Sequence, residues 1–324
     1  MKSSAVAILL IVITLSFLYI LGVKPYPERK NVLVEETFGF NQNTHAAGYG
    51  INAARVDSQI TLSIPQKQAD KVYQYLRDTY IDHMDLMKQR FPDLNITGEN
   101  KMDVSEFTDE YYDTSNLDLD KSQNSARYRS RINTTNAEDP KSGRELVQVK
   151  ATPMGQFDLR TELKFKVETN VLSQKNATRD DMAPLLKLVD KAERGDFKKA
   201  LETIGLNPYN LHHIFTIRQK RSRVYIDLSQ QNFLSFSVDQ GEASKLLATG
   251  KFFSVDIGLV EDVYTPANQK ERDIMWAIRD FMVEDLKNKF PELKETAISK
   301  YSIVLDQIRN KIPYFDLLVK YNLI

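Results

Sequence analysis

Arg127, Arg129 and Arg131 alternate along a short stretch of chain. Side chains at i and i+2 of a strand share a face, so three guanidinium groups project to one side while Tyr128 and Ile132 project to the other. The alternation recurs in Gln148 and Lys150, in Arg160, Glu162, Lys164 and Lys166, and in Arg218 and Lys220 or, in the other register, Arg221 and Arg223. Guanidinium forks match phosphate oxygens in bidentate geometry, so rows of this kind suit a grip on a phosphate-rich anion. Two unit charges 4 Å apart repel by about 1 kcal/mol in water and about 4 at an intermediate dielectric. Converging rows therefore need counter-charge, either Asp and Glu of a solvated outer face or an anionic ligand. On the second alternative, Arg127→Ala with Arg129→Ala is expected to weaken anion binding and leave the unliganded fold intact or more stable, because repulsion is relieved.

No general field does this work. The 44 basic and 44 acidic side chains cancel, so an anion site has to come from local clustering, and no nucleic-acid partner is indicated. The lack of cysteine removes thiolate catalysis and Cys-ligated metals. His212 and His213 are adjacent in a strand and point apart, and His45 and His83 are isolated, so no zinc site is expected. Neither a Gly-x-Ser-x-Gly elbow nor a Walker loop occurs.

The elements that must position these rows are strands. Eight are expected, at residues 58–64, 106–113, 125–133, 144–151, 160–168, 214–227, 233–239 and 252–264, from alternation bounded by turn residues. Helices are expected after Pro65, where Ala69, Val72, Leu76, Tyr80, Met84, Met87 and Phe91 form a stripe. Two more are expected over 183–204 and from Thr265 and Pro266 to near Pro291. Strand follows strand with few helices between, which predicts an α+β fold built on an eight-stranded antiparallel barrel with flanking helices.

Ahead of the barrel, residues 5–23 are apolar apart from Thr14, Ser16 and Tyr19. As a helix they would reach roughly 28 Å, about the thickness of a bilayer core. No small-x-small cleavage pattern follows at Leu21-Gly22-Val23-Lys24-Pro25, so an uncleaved transmembrane helix is expected, with the soluble domain on the exported side by preference. This divides the chain into an anchor (1–30), a spacer (31–57), the strand domain (58–306) and an apolar tail (307–324) that could dock on the domain or on a protein partner.

The order of these segments resembles the CYTH, or triphosphate tunnel, family. The resemblance runs from about Ser58 to Ser302. It is carried by Tyr111-Tyr112-Asp113-Thr114, Leu117-Asp118-Leu119, Ala126-Arg127-Tyr128-Arg129, Val147-Gln148-Val149-Lys150, Arg160-Thr161-Glu162, the basic strand 218–223, Phe236-Ser237-Val238-Asp239 and Leu259-Val260-Glu261. It implies a tunnel that binds triphosphates or other phosphoanhydrides, usually with Mg2+ or Mn2+, and often hydrolyses them. Arg127, Arg129, Lys150 and Arg160 then fall at phosphate-gripping positions, with Arg218, Lys220 or Arg223 completing the ring. Glu162, Asp239 and Glu261 fall at metal-holding positions, Glu162 and Glu261 being the catalytic candidates. The family's first-strand Glu-x-Glu-x-Lys is replaced here by Gln59-Ile60-Thr61-Leu62-Ser63, and Val263 stands two residues after Glu261. Two functions follow: a membrane-anchored phosphohydrolase, or a non-catalytic module that senses an anion or organises a membrane complex.

Overall fold

The structure is a computed structural model that describes residues 55–57, 59–98, 103–135, 142–151, 160–168, 178–228, 231–264 and 267–324. The expected anchor and spacer up to residue 54 lie outside the described residues. No helix among the described residues is long and apolar enough to cross a membrane.

The strands are β1 (Arg55–Asp57), β2 (Gln59–Ser63), β3 (Ile96–Gly98), β4 (Asp103–Asp113), β5 (Ser125–Asn133), β6 (Glu145–Ala151), β7 (Arg160–Phe165), β8 (His212–Leu228), β9 (Gln231–Lys245), β10 (Ala248–Leu259) and β11 (Lys294–Glu295). They form one sheet in the order β1-β7-β6-β5-β4-β8-β9-β10-β2-β11, with β3 beside β8. Every pairing is antiparallel. The antiparallel α+β expectation holds, but the expected closed barrel does not: the path of hydrogen-bonded strands is open. One residue of sequence separates β1 from β2, so the same stretch of chain edges both flanks, β1 on β7 and β2 on β10. Counted as one interrupted strand, they bring the longer strands to the expected eight.

Alternation explains the layering. Outward positions Ala126, Val147, Val149 and Phe165 bury against Leu186, Val189 and the helix Arg194–Thr203 through Phe197 and Leu201. On the other flank Leu62, Val224, Ile226, Phe236, Val238, Val255 and Ile257 bury under helices Ala69–Arg77 and Gln269–Lys289. The second of these helices starts at a capping box, Asn268 with Glu271, three residues after the start expected at Thr265 and Pro266. The helical stretch expected over 183–204 is instead two pieces, a single turn at Leu186–Leu188 and the helix Arg194–Thr203, because Val189 leaves helical geometry to bridge Val167 and the buried Arg194 donates to the Val189 carbonyl and to Asp181.

The C-terminal residues are part of this core. Helix α1 (Lys300–Arg309) crosses the expected domain boundary at 306, and helix α2 (Phe315–Lys320) follows it. Tyr301, Val304, Leu305, Ile308, Phe315 and Leu318 pack on Tyr111, Phe215, Ile217, Ala243 and Phe252. These sheet residues lie on the inner face, so α1 covers one end of it. A Cβ at Gly250 would stand 2.6 Å from the Val304 carbonyl oxygen, which is why glycine holds that position.

Candidate functional site

Strand register assembles the inner face. Across β4 and β5, Tyr111 stands opposite Arg127, Asp109 opposite Arg129 and Phe107 opposite Arg131. On the other side of β4, Ser105 faces Arg221 and Asp103 faces Arg223 of β8. The row continues to Gln148 on β6, Glu162 and Lys164 on β7, Asp239 on β9, Ser254 and Asp256 on β10, and Thr61 on β2. Polar residues thus line the inner side of the sheet, and the outer side is apolar where the helices cover it.

Four carboxylate-centred clusters hold most of the cations. Asp109, 0 % exposed, accepts from Arg129 Nε at 2.5 Å and Nη2 at 2.6 Å and from Arg127 Nη1 at 3.1 Å. Arg127 also donates from Nε to Gln148 at 2.7 Å and from Nη1 to the Tyr111 hydroxyl at 2.8 Å. Arg131 reaches Asp103 at 3.0 Å and Ser105 at 2.9 Å. Glu162 binds Lys150 at 3.1 Å, Lys164 at 2.6 Å and the Gln148 amide. Asp239, also 0 % exposed, accepts from Gln219 at 2.8 Å, Arg221 Nε at 2.8 Å and the Lys300 ammonium, which also reaches Asp256 at 2.8 Å.

Burial works to raise the carboxyl values of Asp109, Glu162 and Asp239, yet their neighbours outweigh it: Arg127 and Arg129, Lys150 and Lys164, and Arg221 and Lys300 hold the three below the usual carboxylate range. A carboxyl whose folded value is depressed contributes stability above its unfolded value and loses it as pH falls through the folded one. The chain is therefore expected to keep its neutral-pH melting temperature down to about pH 4 and to lose stability steeply below it. Thermal melts between neutral and strongly acidic pH check this; a melting temperature unchanged below pH 4 would deny that these pairs support the fold.

Among the described side chains, the inner strand positions and Lys300 carry nine cations (Arg127, Arg129, Arg131, Lys150, Lys164, Arg221, Arg223, Lys245, Lys300) against seven carboxylates (Asp103, Asp109, Asp113, Glu162, Asp227, Asp239, Asp256), an excess of two. Three buried polar atoms on this face have no protein partner among the described residues: Arg223 Nε, a donor, the Ser254 hydroxyl, and Asp227 Oδ1, an acceptor near one end of β8. Buried donors rarely go unpaired, and each costs about 1–3 kcal/mol when they do.

The expected site residues divide. Arg127, Arg129, Lys150, Arg223, Glu162 and Asp239 come together on the inner face. Arg218 and Lys220 are exposed on the opposite face, and the inner positions of β8 belong to Gln219, Arg221 and Arg223. The backbone of Arg160 starts β7 opposite Asp57, and its side chain lies outside the described residues. The strand expected to run to 264 ends at Leu259; Glu261 opens a short helix, Glu261–Tyr264, and its side chain is also outside the described residues. Asp109, Asp256 and Lys300 were not singled out from sequence.

Of the residues implied to hold Mg2+ or Mn2+, the two whose side chains are described, Glu162 and Asp239, do not fit a metal. Glu162 and Asp239 sit on β7 and β9, each surrounded by ammonium, guanidinium and amide donors. The central β2 position is Thr61, whose hydroxyl donates to Asp256 at 2.9 Å. Among the described residues no group of three or more acidic or histidine side chains could hold a metal ion. Hard cations need oxygen ligands with free lone pairs, and these oxygens are already engaged.

No family model matches the sequence, and no curated protein does. The structure matches several solved structures at low sequence identity. The PH1819 protein of Pyrococcus horikoshii OT3 is 10 % identical, with 77 % of this chain and 98 % of that one covered and a TM-score of 0.41. HpAC1 of Hippeastrum, described as having a dominant triphosphatase activity, is 14 % identical over 77 % and 95 %, TM-score 0.42. The Mimivirus capping enzyme triphosphatase is 7 % identical over 72 % and 90 %, TM-score 0.33. At identities and TM-scores this low, the likeness carries no argument.

Proposed function

We propose that the inner face binds a triphosphate or another phosphoanhydride, and that residues 5–23 tether this binding domain to a membrane. The observation that carries the proposal is the excess of cations on the inner face, with Arg223 Nε left unpaired there. Buried charges are costly unless matched, and replacing an ion-pair cluster with apolar side chains is often neutral or stabilising. A polar interior with surplus positive charge is therefore weak as a stability device and suited to an anion that supplies the missing negative charge. The carboxylates hold the guanidinium forks in place until it arrives.

Hydrolysis requires a group free to position water or metal. Glu162 and Asp239 are engaged by cations, which favours binding over turnover. Titration calorimetry of the full chain with tripolyphosphate and with orthophosphate tests this, with released phosphate measured in the same samples. One tripolyphosphate per chain, bound at least about tenfold more tightly than orthophosphate, is expected because the longer anion spans more forks. Equal affinity for both would sink the proposal, and sustained phosphate release would make the protein an enzyme.

Arg218→Ala with Lys220→Ala supplies the control. Both side chains are on the exposed face, so stability should change by no more than about 0.5 kcal/mol and tripolyphosphate affinity by no more than about twofold. A large loss of affinity would place the anion outside the sheet.

A further inference from the structure

Lys300 is the first residue of α1 and comes from the far C-terminal part of the chain, yet its ammonium lies between two carboxylates of adjacent strands, Asp239 of β9 and Asp256 of β10. The helix that delivers it is fixed in three ways. Ser299 caps its N-terminus by accepting from the Ser302 amide, the Tyr301 hydroxyl donates to Asp113 at 2.9 Å, and Gly250 admits the helix backbone at close range. Lys300 is therefore part of the inner face rather than a passing surface side chain.

A hard divalent cation in a phosphate site typically sits between one or two carboxylates, with water and ligand oxygens completing its shell. Here an ammonium holds that place. It is one charge on a covalent tether, with three donors and no exchange with solvent. The local charge closes around it: Asp239 and Asp256 bring two negative charges, and Lys300 and Arg221 two positive, Arg221 reaching both carboxylates. A divalent ion added here would leave two positive charges uncompensated in a buried setting. The remaining carboxylate oxygens are engaged too, Asp256 Oδ1 by Thr61 and Asp239 Oδ1 by Arg221 Nε.

We infer that Lys300 takes the place of a divalent cation between Asp239 and Asp256, so that this interior binds its anion without a metal. The inference rests on the proposed anion binding for its functional half. Its structural half, exclusion of the ion by a tethered ammonium, stands on the geometry alone.

The test uses the full chain and Mn2+, read by the loss of the free-ion electron paramagnetic resonance signal. Wild-type protein should leave the signal unchanged. Lys300→Ala should take up one Mn2+ per chain, with an affinity about tenfold or more above wild type, and adding Asp256→Asn should abolish that uptake. Lys300→Met keeps the aliphatic stem and serves if Lys300→Ala does not fold. Stoichiometric Mn2+ uptake by wild type, or none by a folded Lys300 variant, overturns the inference. In parallel, tripolyphosphate should bind wild type equally well in a chelator, within about twofold of its affinity with Mn2+ present; binding that disappears in chelator overturns it as well. If tripolyphosphate binds under neither condition, the proposed function falls, while the Mn2+ signal still decides whether Lys300 fills a cation's place.

Discussion

Asp109→Ala is expected to destabilise the unliganded chain by about 3–5 kcal/mol, the usual cost of removing one partner from a buried ion pair. Asp109 is fully buried and is the shared acceptor of Arg127 and Arg129. Without it, two guanidinium groups on adjacent inner positions of β5 face each other with less counter-charge, at a point where water screens poorly. Phe107, whose ring lies 4.3 Å from the Arg129 guanidinium carbon, cannot replace a carboxylate. Chemical denaturation gives the loss directly. Tripolyphosphate should recover much of it, because the ligand then supplies the negative charge Asp109 had provided. A variant as stable as wild type would mean that water reaches these arginines freely and that the face is an ordinary solvated surface.

Arg127→Ala with Arg129→Ala is the second large effect. Charge-assisted hydrogen bonds contribute about 1.5–3 kcal/mol each, so losing two forks should weaken tripolyphosphate binding by more than about a hundredfold. The structure reverses the sequence-based expectation about stability. Relief of repulsion would apply if the arginines met only one another, but each is paired to Asp109, and the double substitution leaves that carboxylate buried and alone. The double variant should therefore also lose stability, and adding Asp109→Asn should restore part of it. Calorimetry and denaturation on the two variants separate the effects. Retained binding in a folded double variant would remove these arginines from the site.

How far the site could be read ahead varied with the distance over which its information is carried. Arg127, Arg129 and Arg131 alternate in one phase only, so their shared face was legible. In β8 the residues from Arg218 to Arg223 are basic in both phases, and the phase is set by distant partners. Ile217 buries under α1, while Val224 and Ile226 bury on the outer side. That put Arg221 and Arg223 inside and Arg218 and Lys220 outside. Asp109 sits within Thr108-Asp109-Glu110, where nothing local distinguishes an inward carboxylate from an exposed one. Lys300 carries no local signal at all, since its role depends on α1 covering the end of a sheet formed far earlier in the chain. The thinning of acidic positions in the first strand was legible. What it did not show is that Thr61 and Lys300 now occupy the remaining carboxylates.

The most direct test of the anion-binding claim is the melting temperature of the full chain with and without tripolyphosphate, at ionic strength matched with sodium chloride and with chelator present. A ligand that binds only the folded state adds about 2.7 kcal/mol at a hundred times its dissociation constant. We expect a saturable rise of several degrees that is lost in Arg127→Ala with Arg129→Ala and kept in Arg218→Ala with Lys220→Ala. No rise at millimolar tripolyphosphate, or an equal rise in both variants, would contradict a phosphate grip on the inner face.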